Sequence, residues 1–342
     1  MWNFIKLLIM LGLLAVFTSI VYYREEVLYG LRQAKGQLKI IFNIVSVEEM
    51  LEDPGIPDSD KTKIRMIGEI ADFAERRLGL EAEKNYTTFY DQGNLELMWV
   101  VTACHPFRLE AYEWKFPLFG KFSYKGFFEK ESAEKEENDL KKMGLDTDIG
   151  NTSGWSTLGI LKDPILSGML ARNERGLAEL IIHELTHATI FVKNNIDYNE
   201  NLASFVATYG ALLYLEEKYG EDARICDTFR QRMDDRRKYD EYILRSCRLL
   251  DSLYIDFDEG MPEEKKRELK DELISGIVAN IDTVSFSPPY KEAGFFAGEN
   301  PNNTYFMEFR RYRGMQSKLE EELNSEFNGN IVQYIDNLKD RN

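Results

Sequence analysis

The chain has only three histidines, and two of them stand four residues apart in His183-Glu184-Leu185-Thr186-His187. No other feature constrains the fold as much. On a helix, residues four apart share a face, so both imidazoles project about one turn apart and can hold one metal ion. Zinc is the expected ion. Glu184 stands beside that face, placed to take a proton from water at the metal rather than to bind the metal itself. The flanking Leu177, Leu180, Ile181, Leu185, Ile190 and Phe191 recur at three- and four-residue steps, the buried stripe of a helix. The structural alternative is a pair of histidines in a core helix. With so little histidine, chance assembly of the motif has a probability on the order of a few in a thousand.

A hydrolytic zinc usually has three protein ligands and one open position. The third ligand is assigned to Glu200, in the first turn of a second apolar-periodic segment. That segment begins near Asn199, carries Leu202, Phe205, Val206, Tyr209, Leu212, Leu213 and Leu215, and stops at Gly220. Residues Asn194 to Tyr198 are rich in turn formers and should fold the second helix back on the first. A first helix running on to Lys193 would end roughly 9 Å beyond His187, and five extended residues reach roughly 16 Å, so closure is feasible. The alternative for Glu200 is an acid that only complements the helix dipole.

His183-Glu184-x-x-His187 followed by Asn199-Glu200-x-x-Ala203-Ser204 resembles the gluzincin arrangement of zinc metallopeptidases. Two departures stand out: the interval from His187 to Glu200 is shorter than in thermolysin-like enzymes, and Ser204 replaces their Asp. A metzincin site is excluded, because Ile190 and Lys193 occupy the positions where it needs Gly and a third His. The chain is more closely similar to the bacterial putative-aminopeptidase family of membrane-anchored or lipoprotein zincins. That resemblance covers roughly residues 20 to 312. It includes Gln33-Ala34-x-Gly36-Gln37, Asn85-Tyr86-Thr87, Val100 to Cys104, Phe116-Pro117, Tyr124 to Phe128, Ser156-Thr157-Leu158-Gly159, Asp163-Pro164 and Asn302-Asn303. It implies a zinc hydrolase, a peptide or protein substrate, and a catalytic domain outside the cytoplasmic membrane, periplasmic or extracytoplasmic.

Residues 4–23 form an apolar run interrupted only by Lys6 and the mild Thr18-Ser19 pair. About 20 such residues can span a bilayer, and no Ala-x-Ala-like cleavage site follows them. The expectation is therefore an uncleaved N-terminal transmembrane helix, residues 1–24, in front of a metallopeptidase domain, residues 25–342. Cations on both sides of the run leave its orientation open. No cysteine lies near the N-terminus to carry a lipid, and Cys226 and Cys247 are the candidates for a disulfide.

The net charge of −16 disfavours nucleic acid and anionic membrane surfaces as partners. No linker or repeat divides residues 25–342, so one unit is expected: a zincin-like α+β fold, mainly helical, with a small mixed or antiparallel sheet over the active-site helix. The sheet-containing half is placed at about 80–170, the active-site helices at 174–219 and a helical C-terminal lobe at 221–342. Helices are predicted over Glu25 to Asn43 and Thr62 to Leu78, the principal strand over Leu95 to Ala103, and its neighbours over Tyr112 to Phe119 and Gly120 to Phe128.

Candidates for an oxyanion donor or substrate contact are Tyr124, Tyr198 and Asn303, with His105, Tyr305 and Tyr312 competing and packing roles open for each. The leading reading is a membrane-anchored zinc peptidase, an aminopeptidase by resemblance. The alternatives are an envelope endopeptidase and a non-catalytic envelope protein with a structural zinc site. A structural site has no need of Glu184, which argues against the last.

Overall fold

The computed structural model describes every residue except 1, 3, 7–9, 12–17, 19–20, 83–84, 94, 117–119, 152–161, 194, 289–295, 297–300 and 342. More than half of the predicted anchor, residues 4–23, lies outside the described residues. So do Pro117, Asn194 and Ser156 to Gly159. Among the described residues no helix is long and apolar enough to cross a membrane.

The fold is α+β and mainly helical, with three small sheets. Helix α1, Arg24–Phe42, docks by one side: the Tyr29 hydroxyl and the Gln33 amide both donate to the Gly126 carbonyl, at 3.0 and 2.8 Å. Gly36 lets the Phe128 ring lie against the helix backbone, where a Cβ would collide with the ring. After the short α2, Val47–Glu52, helix α3 spans Asp58–Leu78. It starts four residues before the predicted Thr62, because Asp58 and Asp60 suit the positive end of the helix dipole. It stops at Gly79, which takes a left-handed φ of 64°.

A single sheet over the active-site helix was the expectation, and the structure corrects it. The mixed sheet, β1 (Val45–Ser46), β2 (Thr88–Tyr90) and β8 (Ile165–Leu166), shares its core with α5, Glu174–Thr189, the helix that carries both histidines. The antiparallel sheet, with β3 (Trp99–Cys104) between β6 (Tyr124–Phe127) and β7 (Asp146–Asn151), instead buries Val101, Ala103 and Phe127 against Ala133 and Leu140 of α4, Lys130–Lys142. Helix α9, Asn303–Arg313, packs against β3 and β7 and against α6, Ile196–Tyr219.

The predicted strand over Gly120 to Phe128 divides in two. Gly120–Phe122 (β5) pairs with Trp114–Phe116 (β4), and β6 pairs with β3. Strand β7 escaped prediction because Asp146-Thr147-Asp148-Ile149-Gly150-Asn151 is poor in strand formers, and the ladder along β3 holds it extended.

The C-terminal helices divide between two cores. Helices α7 (Arg224–Ile255) and α8 (Glu263–Asn280) pack with Phe306 of α9. Leu319 and Leu323 of α10 (Gln316–Phe327) and Tyr334, Ile335 and Leu338 of α11 (Ile331–Arg341) join the core of α5 and α6. Cys226 and Cys247 are free and buried, and a disulfide between them is ruled out. Both lie on α7, 21 residues apart, so the rise of the helix separates them by roughly 30 Å.

Candidate metal centre

Helix α5 begins where the Asn173 side chain accepts the Gly176 N–H at 2.9 Å, an N-cap. It ends at Thr189, earlier than the apolar stripe suggested. Ile190 turns to extended backbone and is buried, while Phe191 is exposed. Ending two residues after His187 removes the reach problem. Helix α6 starts at Ile196, not near Asn199, because the Asn195 side chain accepts the Tyr198 N–H and caps it there. Glu200 therefore stands in the second turn rather than the first.

The link between the two helices is fixed by Asn199, only 3% exposed. Its Oδ1 accepts the Val192 N–H and its Nδ2 donates to the Val192 carbonyl, both at 2.9 Å. This amide satisfies both backbone groups of Val192 and sets the start of α6, which carries Glu200, against the end of α5.

The result is a triangle of donor atoms. His183 Nε2 and His187 Nε2 are 3.1 Å apart, and Glu200 Oε2 lies 3.4 Å from each. A tetrahedral ion with arms of about 2.0–2.1 Å needs donors about 3.3–3.4 Å apart, so the three side chains fit zinc and could hold a metal ion. The two imidazole nitrogens can share one proton as a hydrogen bond, or both turn lone pairs toward one cation. His187 Nδ1 is buried and without a hydrogen-bond partner among the described residues.

Burial alone would lift the Glu200 carboxyl, yet its contacts with His183 and His187 hold it down at about 2, so it is an anionic donor. Burial works against protonation of His187, and the Glu200 carboxylate outweighs it and raises the imidazole above its ordinary value.

Glu184 is half-buried and is not one of the three donors. The Tyr86 hydroxyl lies within the electrostatic reach of Glu184. It is buried and unpartnered among the described residues. Tyr86 has a φ of 60°, uncommon for a bulky residue. Its N–H donates to the Asp163 carbonyl at 2.7 Å, while Asn85 Oδ1 accepts the Asp163 N–H at 3.0 Å, so the ring is held in place.

Of the other predicted contacts, Tyr124 is 43% exposed as a residue, yet desolvation of its hydroxyl pushes it up, and the Glu200 carboxylate adds to the rise. Tyr312 of α9 stands in the same field. Burial is again the first cause of its rise, with Glu200 next. The charges that act on Tyr198, after burial, are Glu322 and Arg341 on the C-terminal helices.

Asn303 is fully buried, and its groups are spent on structure. Its amide donates to the carbonyls of His105 and Pro106 at 2.9 and 3.1 Å, and its Oδ1 accepts the Tyr254 hydroxyl at 2.7 Å. Its N–H donates to the Asp146 carboxylate at 2.9 Å. It is a tie between α9 and the sheet, not a substrate contact. Tyr305 is likewise engaged, hydroxyl to hydroxyl with Tyr239.

Sequence reasoning gave no role to Asn199 or Tyr86. The available signals were a polar side chain next to Glu200 on a helix otherwise buried, and the Asn85-Tyr86-Thr87 stretch already noted in the resemblance.

A family model described as Putative aminopeptidase matches residues 28–341. No curated protein and no solved structure matches the chain.

Proposed function

The chain belongs to the putative aminopeptidase family, and from that membership and the donor triangle we propose that it is a zinc-dependent peptidase acting on the amino-terminal end of peptides. The observation that carries the reading is the close approach of His183, His187 and Glu200 from two helices, beside a carboxylate that is not among the donors. Zinc supplies Lewis acidity there, polarising a carbonyl and making water more acidic.

The chain's own residues do the rest. His183, His187 and Glu200 hold the ion, and the Asn199 clamp keeps Glu200 in register. Glu184 takes the proton of the attacking water at its carboxylate and later gives it to the leaving amine nitrogen. Tyr124 and Tyr312, both in the field of Glu200 and neutral as ordinary phenols are, serve as O–H donors toward the oxyanion. Residues 4–23 anchor the chain in a membrane, with the catalytic part outside the cytoplasm. A polypeptide is the substrate.

The test is Glu184→Gln, which keeps size and the amide carbonyl but removes the proton acceptor. Zinc content and thermal stability should match the parent, while turnover of a free-amino peptide falls at least about 10²-fold. Equal turnover with zinc bound in both proteins sinks the mechanism. Cleavage of N-terminally blocked peptides as fast as free ones would assign an endopeptidase instead. Extraction of the full chain from membranes by alkaline carbonate would refute the anchor.

A further inference from the structure

Helix α1 is apolar on two opposite sides, and among the described residues only one of them is covered. At about 100° per residue, Tyr29, Gln33, Gly36 and Ile40 make one side, the side that docks on Gly126 and Phe128. Val27, Leu31, Leu38 and Phe42 point the opposite way, with Leu28 at their margin. They are open to solvent: Leu31 is 61% exposed, Leu38 48% and Phe42 78%. The patch continues past the helix through Ile44 and Val45, both exposed. A run of large apolar side chains along the whole outer side of a helix marks a surface that meets something else.

The charges of α1 identify the occupant. The same rotation puts Arg24 and Lys35 among the outward apolar residues and Arg32 and Lys39 on one adjoining flank. The acids of the helix, Glu25 and Glu26, fall in the first turn and nearer the docked side. The outward surface is therefore cationic in a chain whose net charge is −16. The apolar run of residues 4–23 ends directly before Arg24.

We infer that α1 lies along an anionic bilayer surface, with Leu28, Leu31, Leu38 and Phe42 in the boundary between headgroups and acyl chains and its four cations at the lipid phosphates. Long cationic stems can bury their methylenes among apolar neighbours and lift the charge to the phosphate plane. A second copy of α1 fits less well. In a parallel pair Arg24 and Lys35 would fall on the seam, like charge against like. The local sorting of charge also qualifies the expectation, drawn from net charge, that anionic membranes are disfavoured. This inference goes beyond the peptidase reading and stands whether or not the chain hydrolyses peptides.

The full chain, reconstituted into vesicles of phosphatidylcholine and phosphatidylglycerol, tests it. Leu31→Cys, Leu38→Cys and Phe42→Cys, each carrying a fluorescent label, are compared with Glu326→Cys on α10. The native cysteines are all buried and should not take up label. The expected result is quenching by brominated lipid at the three α1 positions, with several-fold less quenching by aqueous iodide than at position 326. The combined Arg32→Glu, Lys35→Glu and Lys39→Glu change should return the three positions toward the iodide sensitivity of position 326. Iodide access at all three positions in the parent, or disulfide cross-linking between copies through position 31 or 38, would overturn the inference.

Discussion

Asn199→Ala removes the amide that fastens the link between the two ligand-bearing helices, and its cost follows from the geometry. Two hydrogen bonds of 2.9 Å are lost from a side chain that is 3% exposed. Each contributes about 1 kcal/mol net, and a buried group left unpaired costs about 1–3 kcal/mol. Val192 is half-buried, so water can reach its freed N–H and C=O in part, and the low end of that penalty applies. The sum is a destabilisation of about 2–3 kcal/mol, to be read from urea unfolding. The clamp also sets Glu200, so metal affinity should fall about 10- to 100-fold, the scale for residues that orient a ligand, measured by titration against a competing chelator. The ligands themselves are untouched, so residual binding should persist. An Asn199→Ala protein with parental stability and parental metal affinity would show that Glu200 is positioned by something else.

Glu200→Ala should abolish stoichiometric zinc binding at one ion per chain, checked by elemental analysis of the purified protein, because two imidazoles remain where three ligands are expected. Gly210→Ala should destabilise by about 1–3 kcal/mol in urea unfolding, since its Cβ would meet Leu78 Cδ1 at 2.8 Å and Ile182 Cγ2 at 3.1 Å where α6 crosses α3 and α5. Glu174→Gln tests a pH dependence away from the metal. Burial would lift that carboxyl, but hydrogen bonds from Lys218, Tyr219 and Tyr214 outweigh it and hold it below the usual range. A lowered folded value stabilises above the unfolded value and is lost as pH falls through the folded one. The parent should thus exceed Glu174→Gln by about 1–2 kcal/mol near neutrality, with the gap closing in acid. A gap that widens on acidification contradicts the sign.

What the sequence determined by itself was local. His183 and His187 share a face because four residues make about one helical turn, and Leu177, Ile181 and Leu185 repeat with the same period, so the ligand-bearing helix needed nothing distant to specify it. The α3 stop at Gly79 and the α6 stop at Gly220 were legible for the same reason: each is decided by the glycine and its immediate neighbours. Tertiary structure decided whatever depended on partners far along the chain. Strand β7 is held by its ladder with β3 rather than by its own residues. Asn303 became a buried tie because His105, Pro106 and Tyr254 converge on it. Both Tyr198 and Tyr124 offer a hydroxyl, but the charges that act on the first are Glu322 and Arg341 of the C-terminal helices, while Glu200 acts on the second. The triangle of donor atoms lies between the two cases. Its residue types and spacing were readable, while its 3.1 and 3.4 Å edges required α5 to end at Thr189 and Asn199 to clamp the turn. Hydrogen bonds between a side chain and a distant backbone leave no periodic trace in a sequence, and only the folded chain brings their partners together.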